Sequence, residues 1–235
     1  MYEENMIVRL DKYLASLGLV PRRETSRVVK SGAVSVDGVA ATAADMKITE
    51  GQTITLERAD DTLLQIEVKE FVYILLHKPQ GYVCSEIEEG GHASYKMLLQ
   101  DCIYAPTLHV AGRLDRDTEG LVFCTNDGQF THEIISPKKK LEKEYYVELA
   151  SPITDQDIAK LEAGVLIDDG YTTMPAKVKR VSDTSILLTI HEGKYHQVKL
   201  MAQAVGNEVT YLRRERIGNR TLEGLEKGER KYIAV

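Results

Sequence analysis

The sequence predicts an α+β protein. A small N-terminal module of two helices and a little sheet precedes a body whose curved, mixed and mostly antiparallel sheet carries helices on its flanks. Three observations lead there. Short runs of strand-forming or alternating residues recur from Val34 to Ile190, with few long helices between them. That is not the regular strand–helix alternation of a parallel doubly wound sheet. Third, helix, helix and strands succeed one another within about the first 58 residues, compactly enough for a separate module. The predicted organisation is therefore a module over 1–58, a linker over 59–70 and the main domain over 71–235.

Residues 7–32 read as two short helices. Leu10, Tyr13, Leu14 and Leu17 fall at i, i+3, i+4 and i+7 on one apolar face, and Gly18 stops the helix. Pro21 opens the next, Arg22 to Lys30, with Val28 and Val29 inward and Gly32 behind it. Val34 and Val36 alternate with Ser35 and Asp37, Asp37-Gly38 turns, and Ile48, Ile54 and Leu56 supply further strand around Gly51-Gln52. Residues 59–70, ADDTLLQIEVKE, have the polarity of a linker running into a strand. The body begins with the strand formers Phe71–Leu76, ended by Lys78-Pro79-Gln80-Gly81. Leu121–Cys124 fits a short buried strand, and Asn126-Asp127-Gly128 a turn, with Asp127 capping a helix from about Gln129 to Ile135. Lys143–Leu149 alternates, with Tyr145, Val147 and Leu149 on one face and Tyr146 on the other. A helix follows over Asp155–Ala163, a turn at Asp168-Asp169-Gly170, and strands around Val178, Val181 and Ile186–Ile190. Gln197–Val205 reads as a helix with Val198, Met201, Ala202 and Val205 inward and Gly206 at its end.

Composition narrows the function. The chain is 43% hydrophobic and 28% charged, ordinary for a soluble globular protein, and it lacks both a signal-peptide pattern and any run near the ~18 apolar residues of a membrane span. Cys84, Cys102 and Cys124 are odd in number and form no CxxC pair, which argues for a reducing cytosol and against disulfides or a zinc site. The histidines lack metal-ligand spacing, and no Walker, GxG-type phosphate loop or zinc-hydrolase motif occurs, so neither metal nor cofactor is expected. The net charge is −6, but it is unevenly spread: His191–Arg220 holds six Lys or Arg against three Glu, and Lys138, Lys139 and Lys140 form another basic cluster. Such a distribution suits a phosphate backbone and equally an ordinary mixed surface.

The rest of the chain is organised around His109–Gly128, HVAGRLDRDTEGLVFCTNDG. Asp115 stands beside Arg113 in a segment too polar for a core, on a loop whose exit is pinned by a strand. On residues alone two readings stay open: a carboxylate that does chemistry, or a turn cap beside an arginine paired with a surface carboxylate. Tyr145 likewise reads as reactive or as packed in the sheet, and Lys78-Pro79-Gln80-Gly81 as a site loop or a mere turn. The helix from Arg22 to Lys30 reads as a binding face or a solvated one, since residues 1–58 carry eight basic and eight acidic side chains.

GRLD followed by T-x-GL and T-x-DG, the KPQGYVCS loop, the K-x-Y-x-V strand, and EGKYHQVKLMAQAVGNEVTYLRRERIG occur together and in order. This set resembles the RsuA-type ribosomal small-subunit pseudouridine synthases, within the wider RsuA/RluB/RluE/RluF-like family. LDKYLA, a basic helix and SGAVSVDG resemble the S4 RNA-binding domain. The resemblance spans about residues 7–232 and implies an S4-like module on a pseudouridine synthase domain. It implies Asp115 as the catalytic aspartate, Lys199 as its basic partner and Tyr145 as the active-site tyrosine. Leu212 falls at the packing position beside the nucleotide, and Lys78 in a loop near the cleft. Arg113 is placed to fill the space a flipped nucleotide vacates or to hold its phosphate. Arg213, Arg214 and Arg216 are implied as RNA-backbone contacts, and Arg22, Arg23, Arg27 and Lys30 as phosphate contacts of the S4 helix. Two positions depart from the pattern: Pro21 stands where serine is common, and Leu200 where a second basic residue is common.

The reaction so implied breaks the N-glycosidic bond of a uridine, turns the uracil and rejoins it through carbon. It needs an ionised carboxylate near the sugar and base and no cofactor or metal. The implied partner is ribosomal RNA, as a small-subunit precursor or assembly intermediate, met by a cytoplasmic monomer. LHVAGRLD, T-x-PA at Thr173–Ala176, EGKYHQVK and RERIG point to the small-subunit branch. The competing readings are a synthase acting on large-subunit (23S) RNA and a non-catalytic S4-domain assembly factor.

Overall fold

The computed structural model describes residues 6–167 and 170–235, so the turn expected at Asp168-Asp169 lies outside the described residues. Two units emerge: the chain up to Val72 together with Leu99–Leu108, and Tyr73–Leu98 together with His109–Val235.

In the first unit, β1 (Ile7–Arg9) leads directly into α1 (Leu10–Ser16), and α2 (Arg22–Lys30) keeps the predicted bounds. Leu10, Tyr13, Leu14 and Leu17 are all buried, as their spacing requires, while Val29 is buried and Val28 only half-buried. Then come β2 (Val34–Val36), β3 (Val39–Ala40), β4 (Lys47–Thr49), β5 (Thr53–Glu57) and β6 (Leu63–Glu67). β1 pairs with β4, and the others form an antiparallel sheet in the order β3-β2-β5-β6. Strand β6 corrects the reading of 59–70 as a linker. Ile66 sits opposite Ile54 and Leu64 opposite Leu56. Leu64, Ile66 and Val68 turn inward between the exposed Leu63, Gln65 and Glu67, a period-two pattern masked by the polarity of the stretch.

The second unit contains β7 (Tyr73–Lys78), β8 (His109–Ala111), β9 (Glu119–Thr125), α3 (Gly128–Ile135), β10 (Lys143–Leu149), α4 (Asp155–Ala163) and β11 (Lys177–Ser182). These are followed by β12 (Ser185–Ile190), α5 (Gln197–Ala204), β13 (Val209–Ile217), β14 (Arg220–Thr221) and β15 (Arg230–Tyr232). Among the described residues one mixed sheet runs β11-β12-β10-β13-β9-β7-β15, with β14 on β13 and β8 on β9. Every pairing in it is antiparallel except β13 with β9, so the α+β reading holds.

Period two sorts the side chains. Tyr145 stands opposite Leu188 and Arg214, and Val147 opposite Ile186 and Leu212, on the face that α4 and α5 cover through Leu161, Val198 and Met201. Only about 10 Å³ of cavity is left there, the density expected of a core. A second cluster joins Leu75, Leu121 and Phe123 to Ile134 of α3 and to Ile217, Leu222 and Leu225. All of Glu119–Thr125 is buried, as a strand flanked by neighbours and covered on both faces must be. Asp127 caps α3 as expected, accepting from Gln129 N and Phe130 N, and Thr154 with Asp157 adds a capping box to α4.

Candidate active site

The site begins with a buried arginine. Arg214 of β13 is 1% exposed. Its guanidinium donates to Leu121 O at 2.7 Å, Gly112 O at 2.7 Å and Arg113 O at 3.4 Å, and lies 3.5 Å from Tyr145 Oη. It therefore ties both ends of the segment Gly112–Leu121 to the sheet. Gly120 is needed for this: its φ is +127°, and a Cβ there would overlap the Arg214 backbone across the parallel pairing. Gly112, at φ +82°, turns the chain away from β8.

The loop so anchored carries Asp115. Lys199 Nζ, from the first turn of the short helix α5, donates to Asp115 Oδ2 at 3.1 Å and to Asp117 Oδ1 at 2.7 Å. His196 Nε2 is 3.6 Å from the same Asp115 oxygen. Burial works against the charge on Lys199, but the bonds to Asp117 and Asp115 outweigh it and hold the ammonium above its usual range. The loop between Lys78 and Ser85 grips the same segment from another side. Gln80 Nε2 donates to Asp117 O at 2.7 Å, Gly81 N to Arg116 O at 2.8 Å, and Leu114 N to Cys84 Sγ at 3.4 Å. Asp115 is thus a partly exposed carboxylate, its side chain 29% accessible, on a backbone held from two sides, by Arg214 and by the loop from Gln80 to Cys84.

Lys78 lies near enough to Asp115 and Asp117 for their charges to act on it. Lys78 is 0% exposed and donates to Pro79 O and Tyr82 O, both at 2.9 Å. Burial pushes Lys78 down to about 8, with the charge of Arg214 adding to the effect, and Lys143 falls to about 8 for the same two reasons. Among the described residues none of Arg214, Lys78 and Lys143 has an ion pair.

Several predicted roles change. Lys78 and Arg214 are interior groups bonded to backbone carbonyls, so neither is free as a surface contact to RNA. Arg213 and Arg216 project from the sheet face opposite Tyr145, where Arg213 pairs with Glu215 and Arg216 with Glu142 and Glu144. Arg213 and Arg214 point to opposite faces, and a register shift between Glu144 and Tyr145 returns Arg216 to the side of Arg213, which a motif read as one basic string conceals. Arg113 is exposed and without an ion pair among the described residues, and Asp115 opens a turn through its backbone oxygen, which accepts from Thr118 N, while its side chain turns to Lys199. Tyr145 is 7% and Leu212 5% exposed, on the Arg214 side of the sheet. In the first unit Arg23, Arg27 and Lys30 lie exposed on α2, while Arg22 joins Arg9 in binding Asp11. Sequence reasoning missed Asp117, His196 and the anchoring role of Arg214. Asp117 follows GRLD by two residues and His196 lies within EGKYHQVK, but neither matches a single-residue signature.

A partly exposed loop carboxylate held by a lysine, on a loop that a buried arginine joins to Tyr145 of a mixed sheet, is an arrangement that can do chemistry. Residues 72–204 match the RNA pseudouridylate synthase family and residues 8–54 match the S4 domain; the chain belongs to that synthase family and is a pseudouridine synthase. It is 43% identical over 228 residues to the ribosomal small subunit pseudouridine synthase A of Vibrio cholerae, covering 96% of each chain. It is 44% identical to an uncharacterized RNA pseudouridine synthase of Bacillus subtilis, covering 94% of this chain and 93% of that one. A solved pseudouridylate synthase superposes with a TM-score of 0.66 at 38% identity, covering 97% of this chain and 96% of the other.

Proposed function

We propose that this synthase converts one uridine of small-subunit ribosomal RNA to pseudouridine, with Asp115 as its nucleophile. The observation that carries the reading is the Asp115–Lys199 contact of 3.1 Å on a rigidly held loop. The choice of small-subunit RNA is supported by relatives named for that subunit, at 43% identity across 96% of the chain. In the reaction the C1′–N1 bond breaks, a C1′–C5 bond forms, and the proton displaced from C5 is matched by one gained at N1. The target must leave its stack, at a cost of a few kcal/mol. Arg113, exposed and unpaired with any described carboxylate, takes the vacated space or the displaced phosphate. Tyr145 and Leu212 form the wall that keeps the detached uracil in place. Mapping pseudouridines across ribosomal RNA from cells with and without the protein tests this function. Loss of a site from the small subunit supports it; loss from the large subunit alone overturns the substrate and leaves the chemistry.

Lys199 serves two carboxylates, which sets a second test. Lys199→Met would leave Asp115 and Asp117 facing one another without their cation, and pseudouridine formation is expected to fall about 10²-fold or more. Lys199→Arg keeps the charge and a fork of donors, so most activity should survive. Equal activity of both variants would remove Lys199 from the mechanism.

The S4 module is proposed to bind RNA and to do no chemistry. Arg23→Gln, Arg27→Gln and Lys30→Gln combined should weaken RNA binding and flatten its salt dependence by about 0.7 to 0.9 in log–log slope for each phosphate no longer neutralised. An unchanged slope, measured by titration at several salt concentrations, would move the RNA-binding face elsewhere.

A further inference from the structure

The motif EGKYHQVK contains two aromatic residues that the chemistry above leaves unused. Tyr195 is 74% exposed, and its ring is stacked on that of His196, with centroids 3.7 Å apart and planes 22° from parallel. His196 is the N-cap of α5, and its Nε2 lies 3.6 Å from Asp115 Oδ2. A two-ring stack therefore starts at the candidate nucleophile and ends in solvent. With one face against the imidazole, the outer face of the tyrosine is open.

This arrangement is held at a cost. His196 adopts φ 50°, ψ 23°, a left-handed conformation that a non-glycine residue keeps only where its surroundings impose it. The surroundings are on hand. Glu192 is 4% exposed and accepts from Gln197 Nε2 at 2.7 Å, Tyr171 Oη at 2.6 Å and Met174 N at 2.9 Å. Gln197 in turn accepts Lys194 N at 2.9 Å, closing the loop that carries the two rings. A buried carboxylate and amide thus fix a loop whose outermost feature is an exposed aromatic face. Solvation of a tyrosine alone needs no such scaffold.

We infer that Tyr195 and His196 form a stacking platform for an unpaired RNA base next to the target uridine. The inference rests on the reading of Asp115 as the reactive group. When the uridine leaves its stack, its neighbour loses a stacking partner; the outer face of Tyr195, two rings from Asp115, replaces it. Stacking on an aromatic face is tolerant of base identity, so the platform positions the strand and carries little sequence information. It also holds the flipped conformation open by capping what the uridine left behind.

The experiment uses the full protein and a small-subunit ribosomal RNA fragment on which the wild type forms pseudouridine. 2-Aminopurine replaces in turn the nucleotide on each side of the target. Wild-type binding should quench the fluorescence of one of these two probes, and Tyr195→Ala should abolish the quenching while weakening affinity about 10-fold, within the range of one base stack. Tyr195→Phe and Tyr195→Trp should restore both. Removing the flanking base altogether should bring wild type and Tyr195→Ala to equal affinity. Unchanged quenching and affinity in Tyr195→Ala, or failure of Tyr195→Phe to rescue, overturns the platform while leaving Asp115 untouched. Absence of pseudouridine from every small-subunit fragment given to the wild type would instead remove the functional reading, and the platform with it.

Discussion

Asp115→Asn is expected to eliminate pseudouridine formation, by about 10⁴-fold or more, while RNA binding persists. The substitution preserves size and planarity and withdraws only the charge and the nucleophilic oxygen. Lys199 keeps a carboxylate partner in Asp117 at 2.7 Å, and the loop keeps its bonds to Gln80, Gly81 and Arg214, because all of these are made by other groups or by the backbone. Fold and loop should therefore survive, which makes the variant a clean probe of chemistry. The assay is pseudouridine formed on purified ribosomal RNA fragments, read beside a binding isotherm. Turnover at the wild-type rate would refute the proposed mechanism.

The second large effect is expected at Arg214. Arg214→Met fits the space of the aliphatic stem but takes the donor from the buried carbonyl of Leu121 and the partly buried carbonyls of Gly112 and Arg113. An unsatisfied buried carbonyl costs about 1–3 kcal/mol and partly buried ones less, so a drop of about 2 kcal/mol or more in unfolding free energy is expected. Activity should fall with it, since the loop bearing Asp115 is released at both ends. Arg214→Lys is expected to fare little better, because one ammonium cannot span acceptors that the planar fork reaches in two directions. Urea unfolding and turnover at saturating RNA measure the two consequences separately. A stable, fully active Arg214→Met protein would show that the loop is held without it.

Much of this was legible in the residues, and what was not has a physical cause. Helix α2, the cap at Asp127 and the strand Lys143–Leu149 follow from short-range rules that spacing and cap chemistry express directly. Strand β6 did not, because its inward residues are diluted by the polar ones between them and its pairing with β5 is a tertiary fact. The proximity of Asp115 and Lys199, 84 residues apart, came only through family resemblance. Nothing in a one-dimensional pattern says which of three nearby arginines goes inward. Burial of Arg214 is decided by the register of β13 against β10 and β9, and a one-residue slip would have exchanged it with Arg213.

The parallel pairing of β13 with β9 bears on when the enzyme becomes an enzyme. Arg214 reaches back 93 residues to Leu121 and 102 residues to Gly112. Closing a loop of that length costs about 4 kcal/mol of chain entropy, repaid only when the strand is in place. Contacts of such high sequence separation form late. A chain growing from its N-terminus has made Asp115, Tyr145 and Lys199 before it has made the arginine that fixes the loop. During translation the groups proposed for catalysis therefore precede the residue that fixes their geometry. Activity is expected only once β13 is paired with β9.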